Sequence, residues 1–110
     1  STTSAPGLVV YGSIRSSTGN AVEDVTVFRS YAAYPGAQVA VTDKSGYYQS
    51  DFYAIPGDEM ITVWAERSGM VFQPPTCSWR HYYGYEMKEC NFIAGPGRSY
   101  YLPILSKSPR

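Results

Sequence analysis

The chain is poor in charge. Asp, Glu, Lys and Arg make up 16% of its 110 residues, against about 25% in ordinary domains, and nine basic side chains balance nine acidic ones. That balance leaves no basic footprint, so no nucleic-acid partner is expected. Histidine occurs once, and any triad or zinc set that needs histidine must pass through His81. No run approaches the ~18 apolar residues of a membrane helix, so no membrane span is expected, and no window of useful length has helical periodicity. A basic start followed by an apolar stretch is missing too. Ser1-Thr2-Thr3-Ser4 therefore reads as the start of a mature chain after removal of a signal peptide, with an extracellular or cell-surface location.

Eleven tyrosines, ten glycines and eight prolines are the positive features. They frame short runs with strand alternation. Leu8 to Arg15 sets Val10, Gly12 and Ile14 on one face. Val25 to Arg29 follows the Thr18-Gly19-Asn20 turn, and Tyr31 to Gln38, broken by Pro35-Gly36, reads as a loop. Val39 to Thr42 and Tyr47 to Phe52 flank Asp43-Lys44-Ser45-Gly46 and are expected to form a hairpin. After the Ile55-Pro56-Gly57-Asp58 corner, Ile61 to Arg67 alternates cleanly. Gly69 to Pro75 reads as a connector in which Val71 and Phe72 plug one end of the core. Two extended runs, Thr76 to Tyr85 and Glu86 to Ala94, meet near Gly84. Ser99 to Leu105 is a last apolar strand, at an edge because Pro103 cannot donate to a ladder. The expected fold is all-β: a seven- or eight-stranded antiparallel β-sandwich of immunoglobulin or transthyretin type. Residues 1–7 form an extended lead, 8–94 the sandwich, and 95–110 a C-terminal strand and tail.

Several of these segments, in order, carry a resemblance. They are Gly12-Ser13-Ile14 leading to Thr18-Gly19-Asn20-Ala21-Val22, Val25-Thr26-Val27, Thr42-Asp43-Lys44-Ser45-Gly46-Tyr47-Tyr48 and Pro56-Gly57. Ile61-Thr62-Val63, Ser68 to Pro74 and Asn91-Phe92 complete the set. Over Val10 to Ala94 the chain resembles the carboxypeptidase regulatory-like modules, transthyretin-like or Cna-B-like β-sandwiches of bacterial secreted proteins. The resemblance implies a scaffold, because each matching position is a turn, a corner or a core site. Some Cna-B-like modules carry a Lys–Asn isopeptide bond between first and last strands. Leu8 to Arg15 has no lysine and Ser99 to Leu105 no asparagine, so that crosslink is not expected here.

Cys77 and Cys90 are an even pair in a small chain of low charge, which favours a disulfide formed in an oxidising compartment over two buried thiols. Closing such a loop stabilises the fold by about 3 kcal/mol in the chain-entropy model. A zinc set needs four ligands, so no metal is expected, and no cofactor. His81 is expected at an exposed strand position with no nucleophile beside it. Glu23-Asp24 and Asp58-Glu59 are adjacent pairs, whereas glycosidase chemistry needs carboxyl groups flanking a cleft. Asp43-x-Ser45-Gly46 lacks the later acidic ligands of a calcium loop. The expectation is a protein that is not an enzyme.

Two non-catalytic uses fit better. In the first, the protein is a structural subunit of an extracellular bacterial filament or matrix, a homopolymer in which an apolar terminal strand of one copy adds to the next. The candidate contacts are Leu8, Val9, Val10, Tyr11 and Ile14 at one end, and Tyr100, Tyr101, Leu102 and Ile104 at the other. The alternative is adhesion to cell-surface glycans through Trp64, Trp79, Tyr82, Tyr83 and Tyr85. Within that set Trp79, Tyr83 and Tyr85 share one strand parity.

Overall fold

The structure, a computed structural model, describes residues 7–31, 34–51, 59–82 and 84–97. Alternating apolar side chains build it. In β1 (Gly7–Ser16), Leu8, Val10 and Ile14 turn one way and are fully buried. In β5 (Glu59–Glu66), Ile61, Val63 and Ala65 do the same. These two faces meet, with Val27 of β2 (Thr26–Tyr31) beside them, to make an all-β sandwich. The remaining strands are β3 (Tyr34–Val41), β4 (Tyr47–Gln49), β6 (Met70–Gln73), β7 (Cys77–His81), β8 (Tyr85–Glu89) and β9 (Phe92–Pro96).

The first sheet has the order β4-β1-β9-β6, with β8 also on β1; the second runs β3-β2-β5-β7. Most pairs are antiparallel, but β8 and β9 run parallel to β1. They share one register, from Gly7 opposite Tyr85 to Ile14 opposite Phe92, so β8 and β9 are a single line broken at Cys90-Asn91. The sequence reading did not contain this parallel pairing or nine strands. Short-range alternation carries no information about which distant strand lies alongside.

The break at Cys90 is built from specific contacts. The Cys90 amide donates to the Tyr11 carbonyl at 2.9 Å. Its own carbonyl turns toward Gly12, where any Cβ would run into it, and accepts a hydrogen bond from the buried Tyr48 hydroxyl at 2.5 Å. Asn91 Oδ1 then takes the Ser13 amide at 2.8 Å, so a side chain stands in for the missing backbone acceptor. Phe92 resumes the core pattern and meets Phe72 edge-on, with ring centroids 6.3 Å apart.

Three local expectations are corrected. The turn at Asp43 to Gly46 exists as read: Asp43 Oδ1 accepts the amides of Ser45 and Tyr47, and Gly46 has a φ of 79°. It does not close a hairpin, however, because β3 belongs to the second sheet and β4 pairs with β1 in the first. The turn is a corner between sheets, held by the buried Thr42, whose hydroxyl donates to the Val22 carbonyl and accepts the Val25 amide. Pro35 and Gly36 lie within β3, an edge strand, where a missing amide donor is tolerated. Finally, Met70 to Gln73 is a strand and not a connector. Phe72 enters the core as expected, while Val71 points to the other face opposite Gly95.

Burial raises the Tyr48 phenol well above its ordinary pKa of 10, with the nearby Glu89 charge adding to the effect. The fold thus favours the neutral phenol. Its contribution is fully present below about pH 10 and is lost as pH rises through the raised folded value. Tyr48→Phe is expected to cost about 1 kcal/mol near neutral pH by removing one hydrogen bond. The gap between the two proteins should narrow above about pH 10, since phenylalanine cannot ionise. Urea unfolding across that range checks this, and a constant gap contradicts it.

Candidate functional site

The two strands flanking Gly84 face each other across the sandwich. β7 is the edge of the second sheet and β8 belongs to the first, so the chain crosses between sheets at Tyr82 to Gly84. Side chains from the two strands then meet as three rungs. Cys77 and Cys90 form a disulfide, with Cα atoms 6.2 Å apart. Lys88 Nζ lies 6.0 Å from the Trp79 ring centroid. His81 Nδ1 is 2.5 Å from Glu86 Oε1, and because a carboxylate only accepts, that nitrogen carries the proton. Lys88 Nζ is also 3.9 Å from Glu86 Oε2.

Placement of His81 corrects the sequence reading, which put it at an exposed position. It is fully buried, and its Nε2 has no hydrogen-bond partner. The reason is parity: Cys77, Trp79 and His81 share the inward face of β7, so a disulfide at one end carries the histidine inside at the other. No nucleophile accompanies it. Among the described residues there is no group of three or more His, Cys, Asp or Glu that could hold a metal.

The aromatic set does not form one surface. Trp64 lies on the outer face of the second sheet, stacked on Phe28 at 5.7 Å with its Nε1 donating to Glu66 and its ring edge against Gly36. Trp79 turns inward as the middle rung, Tyr82 is exposed after the end of β7, and Tyr85 is exposed on β8 of the other sheet. Tyr83 is outside the described residues. The shared parity of Trp79 and Tyr85 fails because the crossing at Gly84 resets which face is inward.

The strand contacts divide similarly. Leu8, Val10 and Ile14 are buried in the core, Val9 is buried too, and Tyr11 is half-buried between Gln49 on one side and Glu89 on the other. β1 is therefore an inner strand of its own sheet. Tyr100, Tyr101, Leu102 and Ile104 fall outside the described residues. By contrast β8 pairs only with β1 among the described residues. Gly84 and Cys90 bond to β1 through their backbones, so by alternation the backbone groups of Met87 and Glu89 point away from it.

No protein-family model matches the chain, and no curated protein matches. Solved structures do. Chlorocatechol 1,2-dioxygenase from Pseudomonas putida aligns with a TM-score of 0.54 at 14% identity, over 82% of this chain and 60% of that one. 3-Chlorocatechol 1,2-dioxygenase from Rhodococcus opacus aligns with a TM-score of 0.53 at 11% identity, over 86% and 61%. This chain thus spans about three-fifths of those proteins' lengths. At such identities the likeness shows the fold alone. No helix among the described residues is long and apolar enough to cross a membrane.

The His81–Glu86 rung makes a distinguishing test. Glu86→Ala strands a buried N–H donor and is expected to cost about 1–3 kcal/mol in urea unfolding. Glu86→Gln keeps an acceptor at that position and should lose clearly less. Equal losses contradict the assigned bond.

Proposed function

We propose that this protein is a non-enzymatic extracellular module of the regulatory-like kind that assembles into a homopolymer, and that the apolar segment Gly97 to Leu105 of one copy adds to the β8 edge of the next. The observation that carries this reading is the open backbone edge at Met87 and Glu89, on a strand fixed to the core by the adjacent Cys90 disulfide. Exposed edges of this kind are templates for another strand. Met87 is 50% exposed beside that edge, which gives an incoming apolar side chain a surface to cover.

Geometry favours the C-terminal donor over the N-terminal one. Burying Leu8, Val10 and Ile14 is worth about 1.5–3 kcal/mol each, a sum comparable to the whole stability of a domain, about 5–15 kcal/mol. β1 is also tied behind Ile14, which donates to the Gly46 carbonyl and accepts the Val22 amide. Exchanging β1 would therefore require unfolding first, whereas adding a strand at β8 displaces nothing.

Reach argues that the donor comes from another copy. β9 continues the line of β8, so Gly97 lies eight residues beyond Glu89, roughly 26 Å at 3.3 Å per residue. Arg98 to Leu105 spans about the same length when extended. Folded back, it would run along β9, where β6 already holds the edge, and would only arrive at β8 as it ends. A neighbour's segment has no such limit. The buried, Glu86-bonded state of the one histidine supports the non-enzymatic half of the proposal. The disulfide is compatible with an extracellular location.

Electron microscopy of the natively purified protein should show fibres. Ending the chain after Gly97 should abolish them, and Met87→Lys, which puts a charge on the open edge, should do the same while leaving the unfolding transition intact. Fibres that survive both changes contradict strand addition at β8, and uniform single particles from the unaltered protein contradict assembly altogether.

A further inference from the structure

We infer that the outer face of the first sheet carries a binding site for a neutral glycan, in the groove that runs from β8 across β1 to β4. It uses none of the tryptophans, and it lies on the opposite side of β8 from the open edge, so it stands or falls independently of strand addition.

Strand register assembles the site. Gln49, Tyr11 and Glu89 are direct neighbours on three adjacent strands, a row about 10 Å across at two strand spacings. Tyr47 and Ser13 are paired next to it, and Asn91 is joined to Ser13 and Glu89 by hydrogen bonds. These residues line an open groove of about 540 Å³, within the range of roughly 300–1,000 Å³ found for small-molecule sites.

Hydrogen-bonding capacity distinguishes this groove from ordinary sheet surface. Asn91 is spent: its Oδ1 accepts from Ser13 and its Nδ2 donates to Glu89 Oε2 at 3.1 Å. That bond fixes the Glu89 carboxylate and leaves Oε1 without a partner. Neither the Gln49 amide nor the Tyr11 hydroxyl has a side-chain partner. The Tyr47 hydroxyl accepts from Arg15 Nη2 at 3.4 Å and keeps its own proton to donate. Donors and acceptors thus alternate beside two tyrosine rings. Sugars present the matching chemistry, with neighbouring hydroxyls that both donate and accept, and C–H faces that pack on aromatic rings. The charge selects further. Glu89 and Asp43 both line the groove, so an acidic sugar meets two carboxylates, and a neutral hexose chain fits best. A proline-rich peptide would need a more apolar, less polar lining.

The test is a chemical-shift titration of the isotope-labelled protein with cellotriose, mannotriose and, as the charged counterpart, trigalacturonate. Binding of a neutral trisaccharide should move the amides of Tyr11, Tyr47, Gln49 and Glu89, and trigalacturonate should bind more weakly. Gln49→Ala, at an exposed position, should lower affinity about tenfold, equivalent to ~1.4 kcal/mol, with the unfolding midpoint unchanged. Tyr11→Phe tests the central hydroxyl with the ring kept. The inference is overturned if neither neutral sugar moves these amides, if trigalacturonate binds more tightly, if a polyproline peptide moves them where the sugars do not, or if Gln49→Ala leaves affinity unchanged.

Discussion

The backbone of Cys90 is the point on which the sandwich turns. Its amide bonds to β1, its carbonyl takes the Tyr48 hydroxyl from β4, and its sulfur is bound to β7 of the opposite sheet. One residue therefore joins three strands of both layers. It also breaks the line of β8 and β9, and that break is tolerated because Gly12 leaves room and Asn91 supplies the acceptor that the ladder lacks. Each partner has a reason to be the residue it is. A larger side chain at position 12 would collide, and a residue at 91 without a side-chain acceptor would leave the Ser13 amide unpaired.

From that junction follows the contrast between a fixed strand and an open one. β1 is held on both sides, by β4 and by β8 with β9, and supplies three of the fully buried core residues. β8 is held on one side by β1 and from within by the rungs to β7, while its outward backbone stays available among the described residues. The same pairing that buries the inner face of β1 lays Tyr11 between Gln49 and Glu89 on the outer face. The proposed contact with other copies and the inferred glycan groove thus both grow from the register of one strand, on opposite sides of β8.

Much of the architecture was legible in residue alternation. The inward faces of β1 and β5, the turns at Thr18 to Asn20 and Asp43 to Gly46, and the cysteine pair follow from spacing and turn chemistry, which are local. Partnership was not legible. The Asp43 turn reads as a hairpin because both flanks are strand-like, and only the burial of Thr42 between Val22 and Val25 shows that it is a corner. The face of Tyr85 could not be counted from Trp79 without knowing that the chain changes sheets at Gly84. His81 was misjudged for a related reason: its burial depends on a disulfide four residues away and on Glu86 across the gap. The groove residues were individually visible, but Gln49, Tyr11 and Glu89 become neighbours only through pairings that span most of the chain.

Native-state hydrogen exchange tests the central claim, that β1 is a fixed core strand and not a detachable one. The amides of Val10 and Ile14, which donate to Ser50 Oγ and the Gly46 carbonyl, should exchange only through global unfolding, with the same free energy as the β2–β5 pair. Reduction of the disulfide should loosen β7 and β8 before it affects them. Exchange of Val10 and Ile14 through a lower-energy opening, with β2 and β5 still protected, would contradict the account and return β1 to the position of a strand that one copy can lend to another.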